Sequence, residues 1–289
     1  MKKKILVILA ISMLLIISGC SKEVDSKDVN NNEQDIVKEN NDESNSLNFD
    51  SNYLVSQKWL NENLENKDLL ILDARGQKAY NKYHIPGAIV TSWQSLSNME
   101  GAPGDKGWGV VKNAEKLSEN ISALGIDKSK KVVVYTDVLN GWGEDARILW
   151  TLEMAGLENV RILDGGINLW KSSDLKVSKE VSKAKKSDFK VKDLDKSNSI
   201  NFEKIKENYD EYVIVDTRQN EEYEGATNYG EKRGGHLPNA IHFNFRKVLN
   251  EKGTFKHNET VEKIFKEGRK FGVGALVISQ RHQKFQKQF

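Results

Sequence analysis

Val213-Ile214-Val215-Asp216-Thr217-Arg218 rewrites Leu70-Ile71-Leu72-Asp73-Ala74-Arg75, and this recurrence decides the fold. Each copy is a short apolar run closed by an Asp-x-Arg. A continuous run of this kind suits a strand buried on both faces of a parallel sheet, with polar groups at its C-terminal end. A tyrosine follows each Asp at the same offset, Tyr80 in the first copy and Tyr223 in the second. His84-Ile85-Pro86-Gly87-Ala88-Ile89 then returns as His236-Leu237-Pro238-Asn239-Ala240-Ile241, displaced by a loop inserted around residues 225–233.

The elements around these segments alternate. Residues 114–124 have helical periodicity and end at Gly125; Val132-Val133-Val134-Tyr135 is a second buried strand. Residues 144–155 form a strong helix with Gly156 as its stop. Residues 160–163 make another strand, followed by Asp164-Gly165-Gly166 and a short helix with Trp170. Alternating strands and helices predict an α/β fold with a mostly parallel central sheet. In the second copy, 259–271 resembles the 114–124 helix, and Ala275-Leu276-Val277-Ile278 is the expected counterpart of 132–135. A repeat this long indicates a duplicated domain rather than a solenoid. If Ser279 matches Thr136, the ten residues after it leave the second copy without its long helix, last strand and closing helix. The expected organisation is a leader at 1–19, a disordered tether at 20–50, a complete domain at 53–173, a linker at 174–199 and a truncated second domain at 200–289.

Lys2, Lys3 and Lys4 precede an apolar stretch from residue 5 to 17, and Ser18-Gly19 lead into Cys20, the one cysteine of the chain. This is a secretory layout. It resembles the lipobox of bacterial lipoproteins, which implies cleavage before Cys20, lipid on its thiol, and a protein held at the extracytoplasmic face of the cell membrane. An uncleaved anchor helix or an ordinary signal peptide are the alternatives, although the apolar run is short for a membrane span. Residues 21–50 are rich in Asn, Asp, Glu, Ser and Lys and bury too little to offset ordering. A formal charge of +2 at pH 7 offers no argument for nucleic acid. A lone cysteine excludes a disulfide framework, and five scattered histidines give no metal-ligand spacing.

Asp73-x-Arg75, His84-Ile85-Pro86-Gly87-Ala88 and Asp164-Gly165-Gly166-x-x-x-Trp170 resemble the rhodanese superfamily. So do Asp216-x-Arg218, Glu222-Tyr223 and Gly235-His236-x-Pro238-x-Ala240. The likeness is to tandem sulfurtransferases of thiosulfate and 3-mercaptopyruvate. It implies two rhodanese-like domains, the second incomplete, and no organic cofactor. It also implies that chemistry belongs to the loop after the strand at 132–135 or its second-copy equivalent. There a cysteine thiolate takes the outer sulfur of a small sulfur-containing anion and holds it as a persulfide. Thr136 and Ser279 stand at that position. A hydroxyl does not form a stable persulfide, so both are degenerate catalytic positions and no catalytic residue is assigned. Asp73, Arg75, Asp216 and Arg218 are expected to be structural, paired at strand ends. His84 and His236, before a turn proline, are read as bonding backbone rather than acting as bases. Glu222 stands where mercaptopyruvate-type relatives tend to carry an arginine, and it would repel thiosulfate. The basic tail with Arg281, His282, Lys284 and Lys287 either attracts anions or lipid headgroups or is the unselected end of an interrupted reading frame. The function expected is that of a membrane-anchored relative of sulfurtransferases, itself inactive. The alternative is a non-catalytic binding module at the cell surface.

Overall fold

The computed structural model describes residue 49, residues 53–256 except 104, 106, 198 and 232, and the backbone of residues 275–278. In the first module the strands are β1 (Leu54–Val55), β2 (Leu69–Asp73), β3 (Ile89–Val90), β4 (Lys131–Tyr135) and β5 (Val160–Leu163). Between them run α1 (Gln57–Glu62), α2 (Gln77–Tyr80), α3 (Ala114–Ala123) and α4 (Glu144–Met154), and α5 (Gly166–Ser172) follows β5. The second module has α6 (Phe202–Glu207), β6 (Val213–Asp216), α7 (Asn220–Glu224), β7 (Ile241–His242) and β8 (Ala275–Ile278).

Five parallel strands in the order β1-β5-β4-β2-β3 form the first sheet. Successive side chains of a strand point to opposite faces, so continuous apolar runs supply two cores. Leu72, Val132, Val134 and Ile162 face one side and pack with Ile121 of α3 and Ile148 and Leu152 of α4. Ile71, Val133, Tyr135 and Leu163 face the other and pack with Leu60 of α1, Tyr80 of α2 and Trp170 of α5. Trp170 is fully buried, and its indole N–H donates to Lys176 O at 2.8 Å. Asn113 caps α3 by accepting from Lys116 N–H.

The repeat read from the sequence is a repeat of hydrogen bonds as well. Three parallel strands in the order β7-β6-β8 make the second sheet, the counterpart of β3-β2-β4. Thr91 N–H donates to Asp73 O, and Phe243 N–H donates to Asp216 O, each at 2.9 Å. A 3-10 turn follows in both modules, Trp93–Leu96 and Phe245–Val248. Each turn leads into one antiparallel bridge, Ser97 with Val111 and Leu249 with Phe255. Among the described residues, the second-module core holds Ile214, Leu237 and Ala240, backed by Tyr209, Tyr212 and Tyr223. The expected helix at 259–271 lies outside the described residues.

Residues 174–199 join the modules, but they are more than the linker expected from their Lys- and Ser-rich composition. They run as an extended strap along the first module. Ser178 exchanges both backbone hydrogen bonds with His84, at 2.8 and 2.9 Å. Val191 N–H donates to Ser118 Oγ, and Ser187 Oγ–H donates to Ile126 O. Phe189 and Val191 are buried in the α3–α4 core. Gly125, with φ +75°, lets the strap pass: a β-carbon there would meet Lys185 O at 2.8 Å. Two buried apolar side chains among charged neighbours are too weak a periodic signal to reveal such a strap in sequence.

Candidate functional site

Parallel sheets present their strand C-termini, and the loops after them, at one edge. There the Asp-x-Arg pairs are buried anchors of the turns. Asp73 is fully buried and accepts from Arg75 N–H (3.0 Å), Arg75 Nε (2.9 Å), Arg75 Nη2 (2.6 Å) and the Tyr135 hydroxyl (2.7 Å). Arg75 Nη2 also donates to Tyr83 O at 2.6 Å, and its guanidinium lies 5.0 Å from the Tyr83 ring centroid. Burial pulls the Arg75 pKa down, but hydrogen bonding and charge from Asp73 outweigh it and the net direction is up. Burial first, and then the Asp73 charge, raises the Tyr135 hydroxyl above its usual value, so Tyr135 serves as a neutral donor. In the second module Arg218 grips Asp216 through Nε (3.0 Å) and Nη2 (2.7 Å) and donates to Gly235 O (2.8 Å).

The histidines also occupy structural positions. His84 is fully buried, stacked on Tyr80 with centroids 3.7 Å apart, and both ring nitrogens meet backbone oxygens: Nδ1 that of Tyr80, Nε2 that of Glu180, each at 2.9 Å. The Tyr80 hydroxyl donates to Ala88 O at 2.8 Å. In the second module His236 stacks on Tyr223 at 3.7 Å with Nδ1 at Tyr223 O, and the Tyr223 hydroxyl donates to Ala240 O. These imidazoles hold turns. Glu222, on α7, is buried.

Thr136 follows β4 and is 2 % exposed. Its hydroxyl donates to Glu144 Oε2 at 3.0 Å, and Trp142 N–H donates to the same oxygen at 2.9 Å. A side-chain carboxylate from the first turn of α4 therefore stands in the hollow of the 136–144 loop. Gly141 has no space for a side chain, since a β-carbon would lie 2.7 Å from Glu144 Oε2 and 2.5 Å from Asp137 O. Asp137 accepts from Asn168 Nδ2 (2.9 Å) and Asn140 Nδ2 (3.0 Å). Its burial works upward, but these hydrogen bonds prevail and hold its carboxyl below the usual carboxylate range. Beside the loop, a cavity of about 400 Å³ opens between Tyr83, Leu139, Ile167, Asn168, Lys171 and Ser172. Its cation is already engaged, with Lys171 Nζ 4.3 Å from the Tyr83 centroid.

The second loop is located by register. Asp73 pairs with Tyr135, and Asp216 pairs with Ile278, so Thr136 and Ser279 directly follow equivalent strand ends. Ser279 itself and Cys20 lie outside the described residues. Sequence reasoning missed Glu144 as the occupant of the first loop, Tyr135 as a partner of Asp73, and Arg246, which touches the loop from the second module. An acidic residue at the first position of a helix after a degenerate loop was the available signal for Glu144.

Residues 56–173 match the model of the rhodanese-like domain. The thiosulfate sulfurtransferase of Corynebacterium glutamicum is 26% identical over 234 residues, covering 73% of this chain and 72% of its own length. The mouse (Mus musculus) 3-mercaptopyruvate sulfurtransferase is 28% identical over 233 residues, covering 74% and 76%. Both matched shares exceed what residues 56–173 supply. The crystal structure of the 3-mercaptopyruvate sulfotransferase SseA from Escherichia coli superposes with TM-score 0.65 at 22% identity, over 81% of this chain and 92% of that one. The chain spans 57% of another solved structure, EanB with ergothioneine, at TM-score 0.63 and 22% identity. The chain has the rhodanese fold, an α/β architecture with a mostly parallel central sheet, and is similar in sequence to thiosulfate and 3-mercaptopyruvate sulfurtransferases.

Proposed function

We propose that this chain is a membrane-anchored relative of the thiosulfate and 3-mercaptopyruvate sulfurtransferases that forms no persulfide itself, its first module acting as a non-catalytic binding module. The observation that carries this reading is the shared register of β2–β4 and β6–β8. It supports reading positions 136 and 279 as equivalent; the resemblance to rhodanese-type sulfurtransferases puts the nucleophile there, and both residues are alcohols. A thiolate attacks a sulfane sulfur and leaves a persulfide; an alkoxide is scarcely formed near neutral pH and makes no stable counterpart. The Glu144 carboxylate inside the first loop further disfavours an anionic donor there.

The chain from Ser21 is expected to release neither thiocyanate from thiosulfate plus cyanide nor sulfide from 3-mercaptopyruvate plus a thiol, above a heat-denatured control. Turnover well above that control would place the nucleophile elsewhere. Ser279→Cys in the chain as it stands is expected to leave both assays at background.

The anchoring half of the proposal rests on Lys2-Lys3-Lys4, the apolar stretch and Ser18-Gly19-Cys20. No helix among the described residues is long and apolar enough to cross a membrane. Lipid on Cys20 would hold the protein outside the cytoplasmic membrane. Cys20→Ala is expected to move the protein out of the membrane fraction or to block its processing. Unchanged retention with unchanged processing would refute the lipid anchor.

A further inference from the structure

The 136–144 loop has the polarity opposite to that of an anion cradle. Four of its N–H groups already have acceptors in the loop or on α5. Asn140 N–H donates to Asp137 Oδ1 (3.1 Å), Gly141 N–H to Asp137 O (2.6 Å), Leu139 N–H to Asn168 Oδ1 (3.4 Å) and Trp142 N–H to Glu144 Oε2 (2.9 Å). The carbonyl oxygens of Val138, Leu139 and Gly141 turn outward instead. All three converge on one guanidinium from the second module: Arg246 Nη1 donates to Leu139 O at 2.9 Å and to Val138 O at 3.4 Å, and Nη2 donates to Gly141 O at 2.8 Å.

We propose that the loop is a guanidinium receptor, with Arg246 as its built-in ligand, and that this contact latches the second module to the first. Carbonyl oxygens at several points around a cation suit a planar fork with fixed donor directions. A lysine ammonium is a compact point charge and cannot span the same three acceptors. Arg246 sits in the 3-10 turn at Phe245–Val248, the turn that in the first module carries Gln94 at the equivalent place. Contacts on both flanks hold it in register. A β-carbon at Gly253 would come within 3.4 Å of Val138 and Leu139, Phe255 N–H donates to Asp164 Oδ1 at 2.9 Å, and Trp142 meets Tyr229 edge-on with centroids 5.5 Å apart. The segments 229–231 and 244–256 thus close over a loop whose outward groups are acceptors.

Hydrogen exchange at the Phe255 amide of the full chain tests the latch, because that amide bridges the modules without touching Arg246. Arg246→Ala is expected to speed its exchange about tenfold, the effect of losing charge-assisted hydrogen bonds. Arg246→Lys is expected to resemble Arg246→Ala, and Lys247→Ala, at an exposed neighbouring position, to leave exchange unchanged. Methylguanidinium added to Arg246→Ala is expected to restore slow exchange saturably, and methylammonium at equal ionic strength is not. Unchanged exchange in Arg246→Ala, wild-type exchange in Arg246→Lys, or equal rescue by the two cations would each overturn the proposal. Where Arg246→Ala loses native circular dichroism, Arg246→Gln keeps most of the stem and carries the same comparison.

Discussion

Asp73→Ala is expected to destabilise the first module by about 3–5 kcal/mol, the cost of removing one partner from a buried ion pair. Asp73 is fully buried and the Arg75 side chain is 5 % exposed. Truncation leaves the guanidinium without its counter-charge and strands the Tyr135 hydroxyl, which now donates to Asp73 Oδ2 and accepts from Ile85 N–H. Three segments then lose a shared partner at once: the end of β2, the end of β4, and the turn before Pro86. All six tryptophans lie between residues 59 and 170, so their fluorescence follows chiefly the first module, with Trp142 also sensing Tyr229 of the second. A urea titration read at tryptophan is expected to shift strongly for Asp73→Ala. It is expected to move little for Asp216→Ala, because that pair sits in the other module and Arg218 is more exposed. An Asp73→Ala midpoint close to wild type would show that water replaces the lost carboxylate.

Asp145→Asn is expected to remove most of the pH dependence of stability between pH 5 and 8. Asp145 lies in the first turn of α4, a helix packed on β4, β5 and the turn at Trp93–Leu96. It is 5 % exposed and accepts from Ala146 N–H at 2.8 Å. Burial, reinforced by the charge of Glu144, pushes its carboxyl up from 3.8 to about 7, against hydrogen bonds that pull the other way. The folded chain therefore keeps a proton that the unfolded chain releases above pH about 4. Stability is full below that pH and falls as pH rises through 7, by as much as about 4 kcal/mol for a separation of three pH units. Burial raises Glu153 on the same helix in the same direction, so the wild type and Asp145→Asn are compared with Glu153 in place. Tryptophan-monitored urea midpoints are expected to fall from pH 5 to pH 8 in the wild type and to stay nearly level in Asp145→Asn. Parallel slopes would show that the carboxylate is hydrated or paired in the folded chain.

Apolar runs buried on both sheet faces stand out in composition from their polar surroundings. For that reason β2, β4, β5 and β6 were legible, along with the mostly parallel architecture. The Asp-x-Arg pairs were legible as structural for the same local reason: a two-residue spacing lets the arginine fold back on its own aspartate. That Thr136 and Ser279 are alcohols is a matter of residue type, which holds wherever the chain places them.

What the sequence could not reveal depends on partners far apart along it. The Tyr135 hydroxyl reaches Asp73 across 62 residues, and His84 reaches Glu180 across 96. The strap at 174–199 reads as a linker because its hydrogen bonds are made by backbone and serine, which carry no periodic signature. The sequence by itself determined the strand edges and the alcohols that follow β4 and β8 in sequence, because these follow from local composition and chemical identity. Only the tertiary structure decided that Glu144 fills the first loop and that Arg246 meets its carbonyls. The direction of a backbone carbonyl, and the side chain that comes to face it, are set by how the elements pack and not by any spacing along the chain.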